Sequence, residues 1–248
     1  MPLLTKRLLG WTAPVLLLAL VACAGQGEAQ PQLPPADVPA QVPWGEREVA
    51  QYRILRGDRL SGSAVLQVER RGDAYVLTQD FRSADQPLRD TVTVTVDAAT
   101  LKPRSVERVI AREGEGERRC QAQYGSDRVV VRQESEGESR TDELALPPHS
   151  YDSWADVFLW RALPLDRTYR GAYSDMGTCL LRKPGHALMV LEVVTVEPVV
   201  VPAGTFQAWR VEARSGGHRQ VVWIGDTPQR PIVRYDNGTH IFELESIR

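Results

Sequence analysis

Cys23 is the residue with the clearest chemical role in this sequence. It ends the run LVAC, which closes an apolar stretch (residues 8–22) preceded by Lys6 and Arg7. Positive residues before a short apolar run are typical of a secretory signal peptide. A branched apolar residue followed by two small or modest-sized residues and then cysteine is the pattern of a bacterial lipoprotein signal. The thiol of such a cysteine receives a diacylglyceryl group before the peptidase cuts on its N-terminal side. The sequence therefore predicts a signal peptide over residues 1–22 and acylation of Cys23.

Acylation would also fix where the protein is located. The uninterrupted apolar part (residues 15–22) is far shorter than the roughly 20 residues that span a bilayer. Two or three acyl chains, palmitate among them, suffice for stable attachment. We expect a membrane-anchored lipoprotein outside the cytoplasm, on the periplasmic face of a membrane or on the cell surface. Ala24 offers no aspartate-type retention signal, which suits an outer membrane. An ordinary secretory signal with a chance cysteine is the alternative.

Cys120 and Cys179 are the two cysteines that remain. In an oxidising compartment they could form a disulfide, worth about 4 kcal/mol in the chain-entropy model. Two buried free thiols are the alternative, because sequence does not show that the Cα atoms approach within bonding range. A nucleophilic role for Cys179 with His186 and Asp175 lacks the glycine elbow that such a site needs.

Metal and cofactor chemistry finds no support in the residue spacing. His149, His186, His218 and His240 include no pair one helical turn apart, and there is no paired-cysteine motif. The glutamates at 113–117 lack the oxygen-ligand spacing of a calcium loop. The formal charge of −2, without a basic run, argues against nucleic acid. We predict no metal, no cofactor, no nucleic-acid partner and no enzymatic activity.

The aromatic residues give a better hypothesis for a binding site. A curved sheet closed by a helix can leave an apolar space for a lipid or another hydrophobic ligand. The residues that could line such a cavity are Trp154, Phe158, Trp160, Trp209, Trp223 and Phe242. The alternative is that the same six residues fill the core, and the demands of a core alone account for them.

Strands must position most of these residues. Valine and threonine alternate strictly over residues 91–96, which predicts a strand with one buried face, and Asn237-Gly238 is a strong hairpin signal. One segment differs, because residues 150–163 carry aromatics at helical spacing. The prediction is a mainly β fold, an antiparallel, strongly curved sheet or incompletely closed barrel with one central helix.

The chain divides into three predicted parts. The signal peptide (residues 1–22) is followed by the acylated cysteine and a proline-rich tether (residues 23–43), which favours an extended conformation of about 3.1 Å per residue. The remainder (residues 44–248) has a suitable length for a single β-rich domain.

The C-terminal third resembles a known family. VPAGTFQAWRVE (residues 201–212), VWI (222–224) and PIVRY (231–235) resemble the closing section of the bacterial exported domain-of-unknown-function 3108 family. The opening at residues 52–68 and the Leu-Lys-Pro turn at 101–103 are also similar. The resemblance implies a curved, lipoprotein-like β-barrel related in architecture to the periplasmic lipoprotein carriers. It implies no activity, and the cysteine pair and the aromatic helix depart from the family pattern.

Three functional hypotheses follow. The first is a non-enzymatic envelope lipoprotein that binds a hydrophobic ligand or transfers lipidated cargo. The second is a protein-interaction module of the cell envelope that docks a partner through a sheet edge. The third is a hydrolase with an unrecognised site. An aromatic-lined cavity would favour the first, an exposed apolar patch or open edge the second, and a convergent His–Asp–Ser or cysteine cluster the third.

Overall fold

Fifteen strands form one sheet in the computed structural model, which describes residues 33–39, 41–180 and 183–248. Cys23 and the predicted signal peptide lie outside the described residues. The strands are β1 (Arg47–Arg56), β2 (Arg59–Arg71), β3 (Ala74–Ser83), β4 (Leu88–Asp97), β5 (Pro103–Arg112), β6 (Arg118–Tyr124), β7 (Arg128–Ser135), β8 (Glu138–Ala145), β9 (Ser150–Asp152), β10 (Arg170–Gly177), β11 (Gly185–Val201), β12 (Gly204–Ser215), β13 (His218–Gly225), β14 (Ile232–Asp236) and β15 (Ile241–Ile247).

The sheet consists of two meanders joined where the chain begins and ends. Its order runs from β8 back to β1, continues with β15, and then runs back to β9. We call β1–β8 the N-terminal arm and β9–β15 the C-terminal arm. Strands β1 and β15 pair antiparallel, with Ala50 opposite Ile247, while β9 and β10 pair in parallel. Within the described residues no ladder joins β8 to β9, so the sheet is curled but not closed. The predicted fold class is confirmed.

Alternation of residue types explains the strands. In β4 the side chains of Val92, Val94 and Val96 are at most 1% exposed, whereas the intervening threonines are half-buried. Such alternation gives one core face and one outer face. The turn between β14 and β15 uses Gly238 at a φ of +86°, which glycine adopts without strain.

The predicted helix over residues 150–163 is shorter than expected. Residues 150–152 form β9, and the segment then continues as a 3₁₀ turn (Ser153–Ala155), the helix α1 (Asp156–Leu159) and a second 3₁₀ turn (Trp160–Ala162). Asp152 is extended and caps the first turn by accepting a hydrogen bond from the Trp154 N–H at 2.9 Å. The pairing of residues 150–152 with β10 therefore delays the start of the helical segment. We call residues 153–162 the plug, because their side chains fill the space inside the curled sheet.

Residues 33–39, which the sequence assigns to the tether, pack on the domain. The compact unit that contains the sheet begins at Leu33. The Ala36 N–H donates to the Ala172 carbonyl on β10 at 2.8 Å, and Val38 is buried. Asp37 forms an ion pair with Lys102. This segment therefore covers part of the exposed edge of β10 beside β9.

Candidate ligand cavity

A cavity of about 510 Å³ lies between the plug and the concave face of the sheet. Its volume falls within the roughly 300–1,000 Å³ typical of small-molecule sites. Five aromatic residues from β1, β3, the plug, β14 and β15 contribute to its wall: Tyr52, Phe81, Trp154, Tyr235 and Phe242. Leu66, Val157, Leu180 and Ile232 complete the apolar lining. The exposed residues at its mouth come from the turns β12–β13 and β14–β15, so the cavity opens at that end of the sheet.

Four aromatic rings of the wall form a chain of spatial neighbours. The ring centroids are 6.5 Å apart for Phe81 and Trp154, 6.0 Å for Phe81 and Phe242, and 5.4 Å for Tyr235 and Phe242. Such edge-to-face and tilted pairs are favourable beyond the area they bury. The wall is therefore a continuous aromatic surface rather than a set of isolated rings.

Two of the six aromatic residues singled out in the sequence line this cavity, namely Trp154 and Phe242. Phe158 and Trp160 are at most 1% exposed and belong to the core. Trp160 also donates its indole N–H to the Tyr173 hydroxyl at 3.0 Å. Phe158 and Trp160 therefore fill the core, which was the alternative to a place in the cavity wall.

Trp209 and Trp223 lie away from the cavity, on β12 and β13. Each is partly buried, and their indole N–H groups donate to Asp226 at 3.0 Å and Glu197 at 2.6 Å. The guanidinium of Arg234 lies 5.6 Å from the Trp223 ring centroid. These polar partners identify Trp223 as an outer-face residue. Strand alternation would have indicated this, because Val222 and Ile224 beside it are fully buried.

Tyr52, Phe81 and Tyr235 are cavity residues that the sequence reasoning missed. Each lies on a strand whose neighbours alternate, but alternation alone does not distinguish an aromatic residue that fills the core from one beside an empty space. Their position becomes apparent only when β1 pairs with β15, which are far apart in the sequence.

One side of the cavity is polar and acidic. Asp156 accepts a hydrogen bond from the Tyr173 hydroxyl at 2.5 Å. Asp175 accepts from the hydroxyls of Ser153 at 2.5 Å and Ser215 at 2.9 Å. Burial raises the pKa of Asp156 well above its usual range, and the nearby charge of Asp175 raises it further. The cavity is thus amphipathic, with an aromatic wall facing a carboxyl-bearing wall.

Asp152 connects the plug to both arms next to the cavity. It is fully buried and accepts hydrogen bonds at 2.6 Å from Tyr124 on β6 and from Thr178 after β10. Burial raises its pKa to about 6, although these hydrogen bonds act in the opposite direction. This carboxyl group is therefore structural, since its oxygens are occupied by protein donors.

A disulfide joins the two arms where the sheet does not close. Cys120 on β6 is bonded to Cys179, with Cα atoms 5.6 Å apart. The Cys179 carbonyl accepts from Arg108 at 2.9 Å and from the Trp154 indole at 3.3 Å. The Arg108 side chain forms a bidentate ion pair with Asp90. In this disulfide Cys179 is not available as a nucleophile, so the triad of Cys179, His186 and Asp175 is not formed.

A second hollow of about 320 Å³ lies beside the disulfide, and we call it the basic groove. Arg108, Cys120, Gln133 and Arg140 are register partners across β5–β8 and form one row on its floor. The other charged residues that line it are Arg118, Arg119, Glu134 and Lys183. Leu180 lines both the groove and the cavity, so the two hollows meet at this side chain.

The histidines do not form a metal centre. His218 and His240 line the mouth of the cavity, His186 pairs with Met176 on β10, and His149 lies 3.1 Å from Asp37 at the far end of the sheet. The described residues contain no group of three His, Cys, Asp or Glu side chains arranged to hold a metal.

Ser153, Asp175, Ser215 and His218 all line the cavity, which is the kind of cluster a hydrolase would need. Both serine hydroxyls donate to Asp175, however, and no hydrogen bond between a serine and a histidine is present in the described part of the chain. The arrangement thus lacks the contact between nucleophile and base on which serine hydrolases depend.

The curled sheet, with its internal plug and a cavity that opens at one end, defines a barrel-like β domain. The family model described as "Protein of unknown function (DUF3108)" matches residues 48–244. The chain belongs to this family, as its C-terminal motifs indicated.

Two solved structures are similar to this chain. A β-barrel-like protein of domain of unknown function DUF1849 from Brucella abortus has 15% identity and a TM-score of 0.55, over 82% of this chain and 97% of its own. A protein from Parabacteroides distasonis ATCC 8503, provisionally designated a lipoprotein, has 14% identity and a TM-score of 0.32, over 86% and 100%. The first supports the fold alone. No curated protein matches the chain.

Proposed function

We propose that this protein is a non-enzymatic, membrane-anchored envelope lipoprotein that holds a hydrophobic ligand, or the acyl part of lipidated cargo, in its cavity. The observation that carries the proposal is the continuous aromatic wall around a space of about 510 Å³. A packed interior normally leaves few voids larger than a water molecule. A space of this size, lined by aromatic rings and open at one end, is suited to a ligand.

The anchor is supported by the sequence around Cys23, which lies outside the described residues. No helix in the described part of the chain has the length and apolar character needed to cross a bilayer. Attachment through lipid on Cys23 is the anchoring mode that the sequence pattern favours.

Docking of a partner through a sheet edge has less support. Strand β8 forms one edge, and its sequence ESRTDELA places charged side chains along it. Charged edges discourage pairing with another strand. At the other edge, β9 has only three residues, and Ala36 bonds to β10 next to it. Both edges are therefore poor templates for an added strand.

A cavity-filling substitution tests the proposal. Leu66 lines the cavity from β2, and Leu66→Trp would occupy part of its volume. We expect this variant, in a mature chain freed of lipid by Cys23→Ser, to bind dodecanol at least about tenfold more weakly in native mass spectrometry, because about 1.4 kcal/mol of apolar contact is lost.

Leu60→Trp is the matched control, since Leu60 lies on the same strand, is 58% exposed and does not line the cavity. It should bind dodecanol like the parent chain. Equal binding by the two tryptophan variants, or no binding of dodecanol by the parent, would remove the basis of the proposal.

A further inference from the structure

We propose that the ligand is an anionic amphiphile whose apolar chain lies in the cavity and whose carboxylate or phosphate head lies in the basic groove. This inference rests on the proposed function, because it specifies the class of ligand that the cavity holds. It follows from the way the two hollows meet and from the charges that line each of them.

The cavity and the groove are neighbours that share one lining side chain. Leu180 lines both hollows. The Arg108 guanidinium, in the groove, lies 4.6 Å from the ring centroid of Trp154, in the cavity wall. Both side chains donate to the same acceptor, the carbonyl of Cys179. In the proposed pose, a chain lying against Trp154 passes Leu180, the side chain that the two hollows share, to reach the arginine row.

The groove offers guanidinium and ammonium groups on exposed side chains. Arg118 has its nearest carboxylate, that of Glu136, at 4.0 Å, and both side chains are more than half exposed. Arg140 pairs with Asp142 on its own edge strand and is also more than half exposed. Lys183 has no acidic partner within the described residues. The exposed pair of Arg118 and Glu136 contributes little, and the side chains of Arg140 and Lys183 are exposed, so these cations can turn to an anionic head.

The other two arginines of the groove are more firmly held. Arg108 is 7% exposed and its bidentate pair with Asp90 is largely shielded from water. Arg119 bridges Glu107 and Glu117. We therefore assign recognition of the head to Arg118, Arg140 and Lys183. The arginine fork matches the geometry of a carboxylate or a phosphate.

The cavity itself presents carboxyl groups rather than cationic side chains to a head group. Asp156 and Asp175 line the cavity, whereas none of its described lining residues is a lysine or an arginine. An anion placed there would face carboxyl groups. Those carboxyl groups already accept hydrogen bonds from Tyr173, Ser153 and Ser215, which makes them poor receptors for a cationic head.

Probes with one chain and different heads test the inference. The Cys23→Ser mature chain would be titrated by calorimetry with dodecanoate, dodecyl phosphate, dodecyl maltoside and dodecyltrimethylammonium. We expect the two anions to bind about tenfold more tightly than the neutral maltoside at about 0.02 M salt, which is the effect of one charge-assisted hydrogen bond. The advantage should shrink at about 0.5 M salt because the charges are screened. The two anions together tell which head is preferred.

Substitutions locate the head. The double variant Arg118→Gln and Arg140→Gln should lose the preference for the anions and bind the maltoside as before, which also shows that it is folded. Arg128→Gln is the matched control, because Arg128 is an equally exposed arginine at the opposite end of the same arm. It should retain the preference.

Each contrary result has a distinct meaning. Tighter binding of the trimethylammonium probe, equal binding of anionic and neutral probes, or an unchanged preference in the double variant would overturn the inference and leave the hydrophobic cavity in place. Failure of all four probes to bind would overturn the proposed function as well.

Discussion

At the scale of single residues, buried carboxyl groups give this fold a definite response to pH. Asp152 has a folded-state pKa raised to about 6 from the usual 3.8, chiefly by burial. A raised carboxyl pKa means that the folded chain binds a proton which the unfolded chain has already released. The free energy of unfolding therefore falls as pH rises from about 4 to about 6, and Asp156 acts in the same direction.

Asp152→Asn removes this titration while keeping a side chain of the same shape between Tyr124 and Thr178. We expect the free energy of unfolding of the parent to fall by about 2 kcal/mol more than that of the variant between pH 4 and pH 7. Urea unfolding at both pH values measures the difference. Asp166→Asn, at an exposed carboxyl whose pKa is lowered by Thr168, should not reproduce it. Parallel pH profiles for parent and Asp152→Asn would refute this role.

The residue types indicated which side chains are large enough to line a cavity. They did not indicate which of those side chains face it. Trp154 and Phe242 could be proposed for a cavity because of their size, and the structure places both there. Trp209 and Trp223 could not be separated from them by type, since the difference lies in strand phase and in partners such as Glu197. The burial of Asp156 near Asp175 likewise follows from the fold and not from a local sequence pattern.

At the scale of elements, the disulfide replaces a missing strand ladder. The arms pair through β1 and β15, but the described parts of β8 and β9 share no backbone pairing, so on that side the arms are linked by the plug and by the bond between Cys120 and Cys179. Replacing both cysteines by serine should lower the free energy of unfolding by about 4 kcal/mol, because the bond closes a long loop in the unfolded chain.

Urea unfolding of the double serine variant measures this loss, and the parent treated with a reductant provides the matched comparison. Both should have the same lowered midpoint. A loss below about 1 kcal/mol would mean that the β1–β15 pairing and the plug hold the arms together without help from the disulfide.

The elements themselves were largely predictable, because alternation and turn residues act locally. The valine and threonine run of β4 and the Asn237-Gly238 turn formed as expected. The segment at residues 150–163 formed a shorter helix because Asp152 and its neighbours pair with β10. That pairing, like the one between β1 and β15, depends on contacts distant in sequence, which no local pattern encodes.

At the scale of the whole molecule, residues 33–39 and the cavity mouth lie at opposite ends of the barrel-like domain. Residues 33–39 attach near the turns that precede β5 and β9, through Asp37 and its partners Lys102 and His149. The cavity opens at the opposite end, beside the turns β12–β13 and β14–β15. The described residues 33–39 therefore lie at the end of the domain away from the cavity mouth.

The anchor has its own test at this scale. Membrane fractionation of the producing cells should place the parent chain with the membranes and the Cys23→Ser chain with the soluble fraction, because the proposed lipid is its means of attachment. Cys120→Ser, which alters a cysteine within the fold, should remain with the membranes. Membrane association of Cys23→Ser would contradict the lipid anchor.

The most direct measurement of the central claim is a crystal structure of the Cys23→Ser mature chain with 12-bromododecanol, using the anomalous signal of bromine to locate the chain. A neutral head keeps this measurement independent of the basic groove. The account predicts a bromine peak inside the cavity, among Phe81, Trp154 and Phe242. A saturated crystal with no peak there, or with bromine only on the outer surface of the sheet, would contradict it.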